Sequence, residues 1–356
     1  MGLDETVFLT GFPGFIASRL VRQLAKEGAR LLLLVQPSFL EQATKELDQI
    51  AASEGRTRDS FRVLPGDITE SQLGLAPGDL EVLRAESTVV FHLAALYDLA
   101  VERELAMKVN VGGTRNVNHV VATLPKLRNY HYVSTCYVAG KRRGRILETE
   151  LRHEAGFRNY YEETKYLAEM GVESAKANLP ITIHRPSVVC GDSRSGETTK
   201  FDGVYYLIRY LLKWPAGFSF FNIGNREVSL NLVPVDFVVE SLAALASEPK
   251  AIGQTLQLAD PDPLTTSELF DTLAREINGS GSHITLPASL VQFTLMLPPS
   301  PTFTGLPHAA VPYFFLTQTY DTTQSVQLLS GYGIHCPSFP SYASTIVAFA
   351  ARHASG

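Results

Sequence analysis

Cysteine is scarce in this chain: three in 356 residues, Cys136, Cys190 and Cys336, far apart and never paired as Cys-x-x-Cys. That excludes a disulfide framework or a thiolate zinc site and fits a reducing compartment. The nine histidines show no metal-ligand spacing, so no metal is expected. No apolar run approaches the ~18 uncharged residues that a membrane span needs. A basic stripe is missing too: 31 Lys and Arg against 36 Asp and Glu give a net charge of −5, so nucleic acid is not an expected partner. Met1 leads directly into an apolar strand, leaving no signal peptide, and a cytoplasmic location is expected. Neither an internal repeat nor a low-complexity tract interrupts the chain.

What is there is a long, evenly apolar sequence, 45% hydrophobic, able to bury a substantial core. Short apolar runs at 6–10, 30–35, 61–65, 88–93, 129–134, 181–185 and 255–258 alternate with helical patterns near 14–27, 38–53, 102–122 and 160–177. Near-continuous apolar strands separated by helices predict an α/β fold, a parallel sheet covered on both faces with right-handed crossovers. In such sheets ligands bind beyond the carboxyl ends of the strands. Gly11, Asp67, Ala94, Thr135 and Pro186 all fall just past predicted strand ends and would share one edge.

Two local patterns carry chemistry. The first is the turn after strand one, Thr10-Gly11-Phe12-Pro13-Gly14-Phe15-Ile16-Ala17. Glycines allow a tight strand-to-helix turn and close approach of a pyrophosphate to the free N–H groups of the helix start. The second is Tyr161 and Lys165, one helical turn apart and so on one face. An ammonium there favours the phenolate, so the spacing predicts a tyrosine that releases its proton below its reference pKa of about 10. Tyr160, five residues before Lys165, falls on another face. Near Tyr161 the strand end Val133-Ser134-Thr135 offers two hydroxyls, which alternation points to opposite faces. Cys136 has no base recognisably paired with it and is read as packing.

TGFPGFIA, FHLAA (91–95), NVGGTRN (110–116), VST (133–135), Tyr161 with Lys165, HRPSVVCGDS (184–193) and VPVD (233–236) follow one another in order. Together they resemble the extended short-chain dehydrogenase/reductase (SDR) family over about residues 5–260. TGFPGF and YVSTCYVAG are most similar to its thioester reductase and fatty acyl reductase branch. The resemblance implies a Rossmann-type doubly wound parallel sheet, residues 1–190 with roughly 228–260. A smaller, mainly helical substrate lobe would come from roughly 191–227 and 261–356. It implies an NAD(P)-dependent oxidoreductase in which Tyr161 is general acid and Lys165 assists it and holds the nicotinamide ribose. Thr135 would orient the carbonyl, with Ser134 the alternative. Asn110 would brace the neighbouring helix. Cofactor contacts are implied for Thr10, Gly11, Phe12, Gly14, Phe15, Ile16, Gln36, Asp67, Ile68, Ala94, Ala95, Tyr161, Lys165, Pro186 and Val188. Strand two ends Val35-Gln36-Pro37-Ser38 without the acid that would select NAD, which favours NADP (NADPH) over NAD. Arg19 in the first helix could contribute charge to a 2′-phosphate, but an exposed face is the expectation.

Residues 192–230 and 284–316 are rich in aromatic and aliphatic side chains, and basic residues are scattered through the first stretch. The expected substrate is therefore an apolar carbonyl compound, an acyl thioester, aldehyde or ketone, free or carried by coenzyme A or a separate carrier protein. The same stretches could instead build a homodimer surface. An extended-SDR epimerase or dehydratase with retained NAD is one alternative, and a non-catalytic NAD(P)-binding sensor is the other.

Overall fold

The computed structural model describes residues 5–213 and 221–353. The segment 214–220, within the first apolar stretch named above, lies outside the described residues. Seven parallel strands form the central sheet: β1 (Thr6–Thr10), β2 (Arg30–Val35), β3 (Phe61–Pro65), β4 (Val89–His92), β5 (Asn129–Val133), β6 (Ile181–Pro186) and β7 (Thr255–Leu258). Their spatial order is β7-β6-β5-β4-β1-β2-β3, so the chain winds outward from β1 in both directions. Register aligns Leu9 with Leu33 on one side and with Phe91 on the other. Helices cover both faces, which is why Arg30-Leu-Leu-Leu-Leu-Val35 is buried at every position after its first. One face packs α1 (Phe15–Lys26), α2 (Leu40–Ser53) and α3 (Val235–Leu245) through Leu20, Leu24, Leu47 and Leu242. The other packs α4 (Thr114–Val121) and α5 (Tyr160–Ala175) through Val117, Val121, Ala168 and Val172.

The predicted strands match to within a residue at each end. The predicted helix 102–122 is different: Arg103–Ala106 is helical, Met107–Gly113 is a π turn, and α4 follows. Its widened turn buries the Asn110 side chain, whose amide accepts from the Leu96 N–H at 2.8 Å and donates to Thr164 Oγ1 at 3.0 Å. Asn110 thus ties the loop after β4 to α5, the bracing expected of it.

A separate apolar core lies beyond the carboxyl edge. It joins α6 (Val204–Lys213), α7 (Thr266–Asn278), the turn Val311–Phe315 and the helix Ala343–His353 through Tyr205, Ile208, Phe270, Val311 and Ile346. The start of α7 is a full capping box, Thr265 Oγ1 accepting from Glu268 N–H and Glu268 reaching back. Short parallel strands tie this core to the sheet: Val188–Cys190 beside Leu232–Pro234, and Gly144–Ile146 beside Gln318–Tyr320. Among the described residues no helix is long and apolar enough to cross a membrane, and no cluster of His, Cys, Asp or Glu could hold a metal.

Candidate active site

The carboxyl edge of the sheet opens into a cavity of about 240 Å³ lined by Gly11, Gly14, Phe15, Ile16, Ala94, Ala95, Ser134, Thr135, Tyr161, Lys165, Pro186 and Val188, among others. The strand-end residues are brought together as expected, except Asp67, which lies at the β3 end outside this cavity. Thr10 and Phe12 are buried, and Ile68 is buried beside Asp67 at the β3 end. Thr10 Oγ1 accepts from Ala94 N–H at 3.2 Å and bonds His92 Nδ1 at 2.7 Å, fixing β1 against β4 at the turn. Burial pushes the His92 imidazole down to about 3, with the Lys165 charge adding to it, so the ring is neutral.

The glycine turn has a steric cause. Gly11 sits at φ +100°, and a Cβ there would lie 2.8 Å from the Ala94 nitrogen; one on Gly14 would lie 2.6 Å from the Gly11 carbonyl oxygen. Behind it α1 begins with no side-chain cap and no acid in its first turn. Its leading N–H groups and positive dipole end are therefore left for an anionic group, which fits a dinucleotide pyrophosphate. Past the ends of β2 and β3, Gln36 Nε2 donates to Asp67 Oδ2 at 2.8 Å, and Asp67 Oδ1 accepts from Thr69 N–H at 2.8 Å. Burial would raise the Asp67 carboxyl, but these bonds and the Lys108 charge hold it below its usual value. Asp67 closes an Asx turn and caps no helix, while Gln36 is engaged with it. Arg19 is not free on an exposed face. Its guanidinium stacks on Phe15 at 4.4 Å and pairs with Glu197 at 3.3 Å, linking α1 to the segment before α6.

Asn159 caps α5, its Oδ1 accepting from Glu162 N–H at 3.0 Å, and this fixes the phase that turns Tyr161 and Lys165 to the cavity. Thr135 lies beside Tyr161, near enough to lower its phenol, and accepts from Tyr137 N–H at 3.2 Å. Ser134 differs: alternation turns its hydroxyl away, onto the Glu169 carboxylate. Glu169 in turn pairs with the fully buried Arg185, whose Nε donates to it at 2.9 Å. Of the two candidate hydroxyls, only Thr135 meets Tyr161. Cys136 packs as expected, its thiol on the Arg185 carbonyl oxygen at 3.1 Å and pushed up by burial.

One expectation requires correction. The Tyr161 phenol stands above its ordinary value, because burial outweighs the lowering by the neighbouring Thr135 hydroxyl. Lys165 does not touch it: its Nζ donates to Tyr132 OH at 3.0 Å and to the Val133 carbonyl oxygen at 2.9 Å. Burial brings this ammonium down to about 8, against the raising effect of Glu169. Helical spacing shares a face, but it does not decide which neighbour a long side chain chooses.

The motifs gave no sign of the residues at the mouth. Tyr97 meets the Tyr161 ring edge-on at 5.1 Å, burial and the nearby Asp202 carboxylate raise its phenol, and the Lys200 ammonium lies 4.4 Å over its face. Its one signal in the sequence is its place in the loop after β4. Past this mouth a second cavity of about 320 Å³ runs into the lobe between Leu99, Tyr206, Leu230, Pro307 and Phe314.

The sequence profile of the male sterility protein family matches residues 9–242. The chain is 26% identical over 284 residues to the glycine betaine reductase ATRR of Emericella nidulans, covering 76% of this chain and 22% of that protein. It is 24% identical over 279 residues to the fatty acyl-CoA reductase wat of Drosophila melanogaster, covering 68% and 54%. It thus spans well under two thirds of these relatives. Among solved structures, the terminal R domain of the myxalamid biosynthetic pathway superposes with a TM-score of 0.82 at 26% identity, over 99% of this chain and 92% of that one. The UDP-glucuronic acid 4-epimerase of Bacillus cereus, at 20% identity and a TM-score of 0.68 over 99% and 98%, shares the fold. The chain therefore belongs to the male sterility protein family, the thioester reductase and fatty acyl reductase branch of the extended SDRs.

Proposed function

We propose that this protein reduces a carbonyl on a largely apolar chain, an acyl thioester, aldehyde or ketone, with NADPH as the favoured cofactor. The observation that carries the reading is the meeting of Thr135, Tyr161 and Lys165 with the uncapped start of α1 in one cavity that continues into an apolar lobe. A bound reduced nicotinamide supplies the hydride. Gly11, Gly14 and the first turn of α1 would hold its pyrophosphate, Ala94, Ala95, Pro186 and Val188 would flank the nicotinamide half, and Gln36 and Ile68 the adenine half. Tyr161 donates its proton to the carbonyl oxygen as charge develops there, and Thr135 orients that oxygen. General acid help of this kind is worth ~10²–10⁴ in rate. A high pKa suits the role: Tyr161 stays protonated until the oxygen becomes basic enough to take the proton. Lys165 anchors the β5 end and keeps a positive charge near the site. The preference for NADPH rests on the missing acid after β2, and a cytoplasmic setting accords with three unpaired cysteines.

Relatives named as fatty acyl-CoA reductases and an aldehyde reductase support carbonyl reduction. A thiolation-reductase di-domain among the structural relatives suggests that the substrate could arrive on a carrier. The test follows nicotinamide absorbance with NADPH or NADH against acyl-coenzyme A thioesters and the matching aldehydes and ketones. Oxidation of NADPH with any of them supports the reading and tells thioester from simple carbonyl. Oxidation of neither cofactor sinks it and shifts weight to an isomerase or a sensor.

A further inference from the structure

The side chain that joins the lobe cavity to the catalytic helix is Tyr313, buried in the turn Val311–Phe315. Its hydroxyl donates to Glu162 Oε1 at 2.6 Å and accepts from Asn159 Nδ2 at 2.8 Å. Asn159 is the cap of α5, and Glu162 is the fully buried neighbour of Tyr161, also held by the Arg158 N–H at 2.9 Å. The Tyr313 ring lies 4.6 Å from that of Tyr137, whose N–H donates to Thr135 Oγ1. Tyr313 and Tyr137 both line the 320 Å³ cavity beside Phe314. One lobe residue thus touches the supports of both candidate catalytic groups and the wall of the cavity meant for the substrate chain.

We propose that Tyr313 is a positioning residue: an acyl chain packed against its ring in the lobe cavity sets the first turn of α5 and the Thr135 turn, and through them Tyr161 and Thr135. The proposal rests on the reductase reading and adds a dependence of turnover on chain length. Contacts far from the reacting carbon raise kcat only when their binding energy is used to arrange the reacting groups. The Tyr313 hydroxyl is the piece that couples the two. A plain strut between lobe and body would be indifferent to the substrate, and a plain wall residue would govern KM alone.

The test compares wild type with Tyr313→Phe, which keeps the ring and removes the hydroxyl, and with Glu162→Gln, which keeps a hydrogen-bond acceptor there. The first readout is kcat and KM with acetyl-, butyryl- and octanoyl-coenzyme A. The expected result for Tyr313→Phe is a fall of about tenfold in the ratio of the octanoyl to the acetyl kcat, with the ratio of KM values held. Glu162→Gln should fall less. Equal losses on every chain, or a change confined to KM, would overturn the proposal. The second readout needs no turnover: amide hydrogen exchange over residues 135–139 and 159–163, with cofactor and with or without octanoyl-coenzyme A. Protection on adding the thioester, present in wild type and lost in Tyr313→Phe, supports the coupling; protection identical in both, or absent from both, overturns it. A wild type that shows this protection but oxidises no cofactor would refute the reductase reading and leave the coupling standing.

Discussion

At the residue scale, Ser134 and Thr135 are adjacent hydroxyls on opposite sides of the β5 end. Thr135→Ala should lower kcat by about tenfold or more, since it removes a hydrogen bond at the reacting oxygen, while thermal stability changes little. Ser134→Ala should do the reverse. It strips a donor from the buried Glu169 carboxylate, which costs about 1–3 kcal/mol of stability, read as a lower Tm. If Ser134→Ala proves the more damaging to turnover, the assignment of the two faces is wrong. Lys165 offers a pH test. Its ammonium is brought down to about 8, and the proposed role needs it charged, so kcat should fall as pH rises through about 8. A rate flat from neutrality to strongly basic pH would contradict that role. The two hydroxyls could be listed from sequence because strand alternation is local. Alternation alone does not choose between them; the resemblance favours Thr135, and the physical reason, the partners on α5 and β6, lies far away in the chain. For the same reason Tyr97, Lys200 and Asp202 were invisible: nothing local marks three separate residues as the rim of one cavity.

At the scale of elements, the segments most legible in the sequence were those whose form follows from composition. Leu31 to Val35 reads as a strand buried on both faces, and Gly11 turns where a side chain would strike the loop just after β4. That last point is testable. Gly11→Ala should destabilise the fold and weaken cofactor binding, because φ +100° and a Cβ 2.8 Å from the Ala94 nitrogen force the turn to move. An alanine variant with unchanged Tm and cofactor affinity would show that the turn has slack. The π turn at Met107–Gly113 was not legible. Its register is set by Asn110 reaching Leu96 and Thr164, contacts that periodicity does not encode. The lobe was legible only as apolar stretches, since its helices pack on one another across large sequence separations rather than on a pattern of alternation.

At the scale of the whole molecule, the sheet buries several titratable groups that the site does not use. His131 and His184 lie in the interior with Nδ1 of the first and Nε2 of the second 2.9 Å apart, and burial brings His131, like His92, down to about 3. Unfolded histidines titrate near 6.5, so below that pH the unfolded chain takes up protons that the folded one refuses. Stability from these groups is present above pH 6.5 and is lost progressively towards pH 3. Thermal melts should show Tm falling across that window, and His131→Phe should shallow the slope; a Tm constant from pH 7 to pH 4 would contradict the burial of neutral imidazoles.

The carboxyl edge unites the uncapped helix start, the Thr135 and Tyr161 hydroxyls and the apolar cavity, and the proposed reductase activity needs them to act as one site. The most direct measurement is NADPH oxidation by wild type and by Tyr161→Phe with octanoyl-coenzyme A and with octanal, with NADPH affinity measured alongside. Turnover is expected in wild type, with a loss of about a hundredfold or more in Tyr161→Phe and NADPH affinity within a few-fold of wild type. A Tyr161→Phe variant that turns over at the wild-type rate would contradict the proposed reductase site.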